Sequence, residues 1–368
     1  MTDDPFEIFL VATPGLEAPL AAEARDLGWA PEIGPGGVTI RGGWADVRRA
    51  NLMLRGATRV LARIGQFRAL HLAQLDKRAR RFPWGDLLRP DLPVKVEATC
   101  RASRIYHAGA AAQRIERAIT EELGAPIAAD AGIVIKVRIE DDLVTISLDT
   151  TGESLHKRGH KQAVAKAPMR ETMAAMFLRE MGFDGSQPVL DPMCGSGTFV
   201  IEAAEIAAGL APGRSRGFAF ESLSNFDAAD WRNMRDMGAV RTPPVQFFGS
   251  DRDAGAVRMS AANAERAGVA DWTRFACHPL ADLPRPDGPA GMVIVNPPYG
   301  ARVGNKGPLF GLHTVMGEVF RDRLSGWRVG IVTSEAGLAR ATGLPFQAPG
   351  PIVAHGGLKV RLWQTGPL

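Results

Sequence analysis

The stretch VLDPMCGSGTFVIEAAEIAAG, from Val189 to Gly209, decides how the rest of the chain is read. Val189 and Leu190 close a short apolar run, and Asp191 is the first charge after it. Gly195 and Gly197 predict a tight turn, and Thr198 opens an apolar-periodic segment that Gly209 closes. Strand, glycine-rich turn and helix in that order form the first unit of a doubly wound α/β sheet. Its bare backbone and helix-start N–H groups suit a ligand with an anionic group. The spacing Asp191-x-x-x-Gly195-x-Gly197 differs from the G-x-G-x-x-G of dinucleotide folds, and no Gly-Lys-Ser/Thr follows to make a P-loop.

Roughly 100 residues later, GMVIVNPPYG (Gly291–Gly300) reads as a later strand of the same sheet. Its β-branched run stops at Asn296-Pro297-Pro298-Tyr299, because neither proline can donate to a ladder. Strands of such a sheet point their carboxyl ends at the ligand crevice, so both loops are expected to open into one site.

The pair D-P-M-C-G-S-G-T (Asp191–Thr198) and N-P-P-Y-G (Asn296–Gly300) resembles the S-adenosylmethionine-dependent amino methyltransferases. LHKRGH (Leu155–His160), APMRET (Ala167–Thr172) and HGGLKVRL (His355–Leu362) narrow the likeness. Together they resemble the THUMP-domain RNA guanine-N2 methyltransferases over nearly the whole chain. That resemblance implies an α/β fold in which a Rossmann-like class I methyltransferase domain follows ferredoxin-like and THUMP α+β modules. It also implies S-adenosylmethionine as donor and guanine N2 of RNA as acceptor, with 23S ribosomal RNA favoured and tRNA the alternative.

The patterning upstream is compatible. Residues 6–67 read as strand, helix, hairpin, helix, strand, the ferredoxin-like order, and residues 1–69 are expected as one domain. His71–Trp84, with Lys77, Arg78, Arg80 and Arg81, opens a basic α/β segment. It continues through a strand at Pro93–Cys100, a helix at Ala108–Leu123 and a hairpin about Asp141-Asp142. The resemblance makes residues 70–155 the THUMP module and 156–368 the methyltransferase domain. Residues 211–243 form a long irregular insertion with Phe218, Phe220, Phe226 and Trp231, which reads either as a substrate platform or as a satellite core.

Charge is uneven. The net charge is +4, but residues 48–170 hold 23 Lys/Arg against 13 Asp/Glu, while residues 171–368 hold 19 of each sign. A polyanionic partner accounts for that excess, and solvated helix faces are the plainer alternative. Hydrophobic residues at 45% and charged residues at 23% suit a globular protein. No signal-peptide pattern and no apolar run near the ~20 residues of a membrane helix are visible. Cys100, Cys194 and Cys277 are scattered and the seven His lack ligand spacing, so neither disulfides nor a metal is expected. The expected location is cytoplasmic.

The resemblance also assigns roles. Asp191, Cys194, Gly195, Gly197 and Thr198 correspond to the cradle for the donor's methionine end, the Asp191 carboxylate accepting from its ammonium. Asp251 corresponds to the ribose acid, with Asp253 as competitor unless it caps the following helix. The family's Asp-Ala pair at the adenine slot is replaced here by Cys277-His278-Pro279-Leu280. Either Asp282 or the backbone must serve instead. Asn296 and Pro297 correspond to acceptors for the amine's N–H groups, and Tyr299 offers a stacking face beside Pro298. Lys77, Arg78, Arg80, Arg81 and Arg158 are expected on RNA. His156, Arg170 and Glu171 stand near the donor or the RNA backbone, unless capping and surface charge explain them. N-P-P-Y also serves DNA-adenine and protein-glutamine methyltransferases, and a non-catalytic RNA-binding factor is the remaining rival.

Overall fold

Alternating burial makes Phe6–Val11 a strand (β1) with Ile8 and Leu10 inside. The computed structural model describes residues 5–162, 169–299 and 307–368; Ala167, Pro168 and Gly300, quoted above, lie outside the described residues. After β1 come α1 (Glu17–Asp26), β2 (Glu32–Gly34), β3 (Gly37–Gly42), α2 (Trp44–Met53) and β4 (Arg59–Arg68). Next are α3 (Leu72–Arg80), β5 (Val94–Arg101), α4 (Ala108–Leu123), β6 (Ile133–Glu140) and β7 (Leu143–Asp149). All seven strands share one sheet in the order β2-β3-β1-β4-β7-β6-β5, since β4 pairs with β1 on one side and β7 on the other. The two leading segments, read from sequence as successive modules, are therefore continuous through their strands. Asp141 and Asp142 both have positive φ, +50° and +61°, which matches the hairpin twist of a two-residue type I′ turn.

The first compact unit comprises Met1–Ala12, Ala21–Leu155 and Arg216–Met237, and the second Thr13–Leu20, His156–Ser215 and Gly238–Leu368. Residues 216–237, expected with the methyltransferase domain, thus belong to the N-terminal unit. Within that unit the Phe220 N–H donates to the Thr150 carbonyl at 3.1 Å and Ser224 N–H to the Leu87 carbonyl at 3.0 Å. Phe218, Phe220 and Trp231 are buried, and the Trp231 ring meets both phenyl rings edge-on at 5.8 and 5.0 Å. That is a satellite core; rings enclosed this way cannot be the substrate platform.

The C-terminal unit follows α5 (Glu171–Glu180) with β8 (Val189–Asp191) and α6 (Thr198–Ala207). The N-terminal unit takes α7 (Ala228–Asp236). The chain then returns through β9 (Phe247–Asp251), α8 (Ala254–Ala267), β10 (Thr273–Cys277) and β11 (Met292–Val295). It ends with α9 (Gly307–Arg323), β12 (Arg328–Thr333), α10 (Ala336–Ala341), β13 (Val353–His355) and β14 (Leu358–Pro367). The sheet order is β10-β9-β8-β11-β12-β14-β13. The first five of these are parallel, and β14 runs antiparallel to β12. Met292–Val295 is buried on both faces, as a central parallel strand must be. Val293, Val295, Phe320, Trp327 and Ile331 are among the residues of its core. Order reverses between β8 and β11, which is where an open α/β sheet opens its crevice.

Candidate active site

The parallel strands deliver chemistry to one edge. Asp191 ends β8, Asp251 ends β9, Cys277 ends β10 and Asn296 follows β11. The Asp191 carboxylate is buried and accepts from the Met193 N–H at 3.0 Å. Burial, with a smaller push from the Asp251 charge, raises its pKa to about 8. Below that pH the carboxyl is held mostly protonated, and a cation brought beside it would draw its pKa back down.

The turn after β8 is held from three directions. Gly195 N–H donates to Asp251 Oδ2 at 3.1 Å, Cys194 N–H to the Ser250 carbonyl at 2.9 Å, and Gly197 N–H to the Cys194 carbonyl at 2.7 Å. From α8, Ser260 Oγ donates to the Gly195 carbonyl at 3.1 Å and Asn263 Nδ2 to the Ser196 carbonyl at 3.0 Å. Gly197 has φ +80°, a conformation that favours glycine, and its missing Cβ would stand a tight 3.1 Å from Ser260. Cys194 is buried against Ser260, and burial pushes its thiol far above the ordinary range, so it lines the turn as an inert side chain.

Asp251 uses its second oxygen to accept from the Asp253 N–H at 3.0 Å. Asp253 itself caps α8, accepting from Gly255 N–H at 2.7 Å, and so takes the capping alternative weighed above. The Asp282 carboxylate is exposed in the helical turn Leu280–Asp282, and His278 N–H bonds the Asp251 carbonyl at 3.1 Å. Asn296 is half-buried and its Oδ1 is buried with no hydrogen-bond partner among the described residues. An orphaned acceptor of this kind is costly and points to a missing donor. Pro297 is buried, Pro298 exposed and Tyr299 half-buried.

Lys161 and Arg158 take places that sequence alone did not assign. Lys161 Nζ donates to Thr198 Oγ1 at 2.9 Å and to the Met169 carbonyl at 3.0 Å, and pairs with Glu171 at 3.1 Å. Burial raises the Glu171 pKa against the opposing pull of Lys161. Arg158 pairs with Glu202 at 3.3 Å, both side chains 1% exposed. His160 lies 3.6 Å from Glu205, which also holds Arg214 at 2.5 Å. Residues 158–161 therefore run along Thr198, Glu202 and Glu205, one stripe of α6 at helical spacing. This corrects the expectation that Arg158 meets RNA, since so enclosed a guanidinium cannot reach a phosphate. His156 is half-buried; burial and the neighbouring cations lower its pKa to about 4, so the ring is neutral. Arg170 is exposed at the start of α5.

In the N-terminal unit Lys77, Arg78 and Arg81 are exposed on and beside α3. Arg80, expected with them, is ringed by Asp76, Glu121 and Glu122 at 2.8, 2.6 and 3.0 Å, so its charge is answered within the protein. No group of three or more His, Cys, Asp or Glu that could hold a metal occurs among the described residues. Among those residues no helix is long and apolar enough to cross a membrane.

A parallel run in the order third, second, first, fourth, fifth, flanked by an antiparallel seventh strand, defines a class I methyltransferase when a glycine turn follows the first strand and Asn-Pro-Pro-Tyr the fourth. Residues 158–345 match the methyltransferase domain described as RMKL-like, and residues 7–61 match the RlmL ferredoxin-like domain. The chain belongs to this RMKL-like methyltransferase family. It is 30% identical over 367 residues to a Synechocystis sp. protein named "Putative RNA methyltransferase slr0064", spanning 96% of this chain and 95% of that one. The crystal structure of SMU.472, "a putative methyltransferase complexed with SAH", aligns with a TM-score of 0.88 and 29% identity, over 100% of this chain and 99% of that one. A Listeria monocytogenes structure described as a "predicted N6-adenine-specific DNA methylase" aligns with a TM-score of 0.88 and 30% identity, over 99% and 97%.

Proposed function

We propose that this protein transfers a methyl group from S-adenosylmethionine to the exocyclic N2 of guanine in RNA, large-subunit ribosomal RNA being the favoured substrate and tRNA the alternative. The observation that carries this reading is the unpartnered buried Oδ1 of Asn296, at the same sheet edge as Asp191 and the Gly195–Gly197 turn. S-adenosylmethionine supplies, when bound, a methyl group already activated on a sulfonium. Asp191 holds its ammonium, the turn its methionine end and Asp251 its ribose; Asp282 or the backbone beside His278 holds the adenine.

Guanine N2 is a poor nucleophile because its lone pair is delocalised into the ring. Asn296 Oδ1 and the Pro297 carbonyl accept its two N–H bonds, which favours a pyramidal nitrogen with the lone pair aimed at the methyl carbon. Tyr299 stacks the base, a contact worth roughly 1–3 kcal/mol. Positioning supplies much of the rate, and the proton leaves late to water, so no strong base is required. Exposed Lys77, Arg78 and Arg81 contact RNA phosphates in this reading. The base must come from a loop or be flipped, because a duplex hides N2.

The test is nucleoside mass spectrometry on separated ribosomal and transfer RNA from cells with and without the gene, complemented by wild type or Asn296→Ala. N2-methylguanosine should vanish from one fraction and return only with wild type, the variant losing roughly 100-fold or more in rate. A second reading rests on the name of the Listeria relative, DNA adenine methylation. Methyl acceptance that resists RNase and falls with DNase would establish it instead.

A further inference from the structure

Tyr106 is 84% exposed, one of two tyrosines in the chain, whereas its neighbour Ile105 is 3% exposed. Among the described residues, the only other aromatic ring counted with the exposed large hydrophobics is Phe310 at 41%. The Ala102–His107 loop that carries Tyr106 is pinned along its length. Ser103 Oγ donates to the Arg101 carbonyl at 2.7 Å and accepts from the Asp142 N–H at 3.0 Å. The Arg104 N–H donates to Asp142 Oδ1 at 2.8 Å, and His107 Nδ1 accepts from Ala110 N–H at 3.0 Å to cap α4. Ala102 has φ +45°, a conformation that a residue with a Cβ adopts only when its surroundings impose it. Ile105 anchors the loop from inside, so Tyr106 is held out rather than left loose.

Arg101 and Arg104 precede Tyr106 by five and two residues, with side chains 81% and 72% exposed. Their acidic neighbours, Glu140 and Asp142, stand 3.6 and 3.9 Å away, beyond hydrogen-bonding distance. Both guanidiniums can therefore turn to an incoming phosphate. An exposed ring on a strained, braced loop, with two exposed guanidiniums on the same segment, fits one ligand chemistry well. That ligand is an unpaired nucleobase with its adjoining phosphates. We infer that the Ala102–His107 loop is a single-strand RNA contact in which Tyr106 stacks on an unpaired base while Arg101 and Arg104 hold the backbone. The inference rests on the RNA reading of the proposed function and adds where, and by what contact, unpaired RNA is captured.

The experiment is fluorescence anisotropy of the full chain with a fluorescein-labelled oligouridylate of about 12 nucleotides and, separately, with its oligoadenylate duplex. Tyr106→Ala should weaken single-strand binding about tenfold or more, with duplex binding unchanged and an unaltered thermal midpoint. Tyr106→Trp should bind as well as wild type, because stacking and not the hydroxyl is used. Arg104→Gln should lower the slope of log affinity against log salt by about 0.7, as loss of one single-strand phosphate contact requires. Equal affinity of wild type and Tyr106→Ala overturns the inference and leaves the RNA reading standing. Equal losses on both probes, or a wild-type dimer that Tyr106→Ala dissociates, overturn it likewise. If wild type binds neither probe, the RNA reading and this inference fail together.

Discussion

Asp191 carries a proton whose fate can be followed. Burial raises its pKa to about 8, so in the proposed reading the donor's ammonium must, below that pH, expel the proton before it meets a carboxylate. Affinity for S-adenosylhomocysteine should therefore rise with pH up to about 8, at most tenfold per unit, and then level off. Calorimetric titration at several pH values checks this, and Asp191→Asn should bind weakly with no slope. The same shift bears on the donor-free protein. A carboxyl raised above its ordinary 3.8 contributes stability that is complete below that value and is lost as pH climbs through about 8. Asp191, Asp251 and Asn296 were legible from sequence because a polar residue that ends an apolar β-branched run stands at a strand's carboxyl end. Ser260 and Asn263 were not, since polar residues three apart on a helix look like a wet face. Both are wholly buried under the turn they support.

The ladder from residues 158–161 onto α6 belongs to the scale of elements. Arg158→Met removes the buried cation that pairs with Glu202 and should destabilise the protein by roughly 3–5 kcal/mol. Arg158→Met with Glu202→Leu should recover most of that loss, because replacing both members of a buried pair with apolar groups is often near neutral. Urea melts of the two variants decide it. A single variant that melts like wild type but loses RNA binding would return Arg158 to the surface role first expected of it. Nothing local to Leu155–His160 could have shown the burial, since its partners lie 44 and 45 residues on. Elsewhere a strongly periodic segment was read to the residue: Ala108–Leu123 is a helix with those very limits. The segments missed give weak local signals. Gly307, Pro308, Gly311 and Gly317 depress the helix propensity of α9, and β13 is three residues long.

At the scale of the molecule, the pairing of β4 with β7 decides what can stand alone. A fragment ending at residue 69 would present the whole length of β4, Arg59–Arg68, as an open edge and should aggregate. A fragment of residues 1–155 closes that edge but lacks Phe218, Phe220 and Trp231. It should bind a hydrophobic dye and unfold less cooperatively than the same fragment carrying residues 216–237 on a Gly/Ser linker. Dye fluorescence with thermal melts checks the comparison. This division was not legible because strand partners are chosen across the chain, whereas periodicity reports only which face of a strand is buried.

The return of residues 216–237 to the first unit has a consequence for the order of events at the ribosome. The leading sheet can pair its strands once β7 has emerged, yet Phe218, Phe220 and Trp231, which form its satellite core, are still unmade. Translation must run through Met237, past the Gly195–Gly197 turn, before the N-terminal unit holds all of its own residues. The first unit begun is thus completed only when synthesis of the second is well under way, and for that interval the nascent chain carries an uncovered apolar face of the kind chaperones bind.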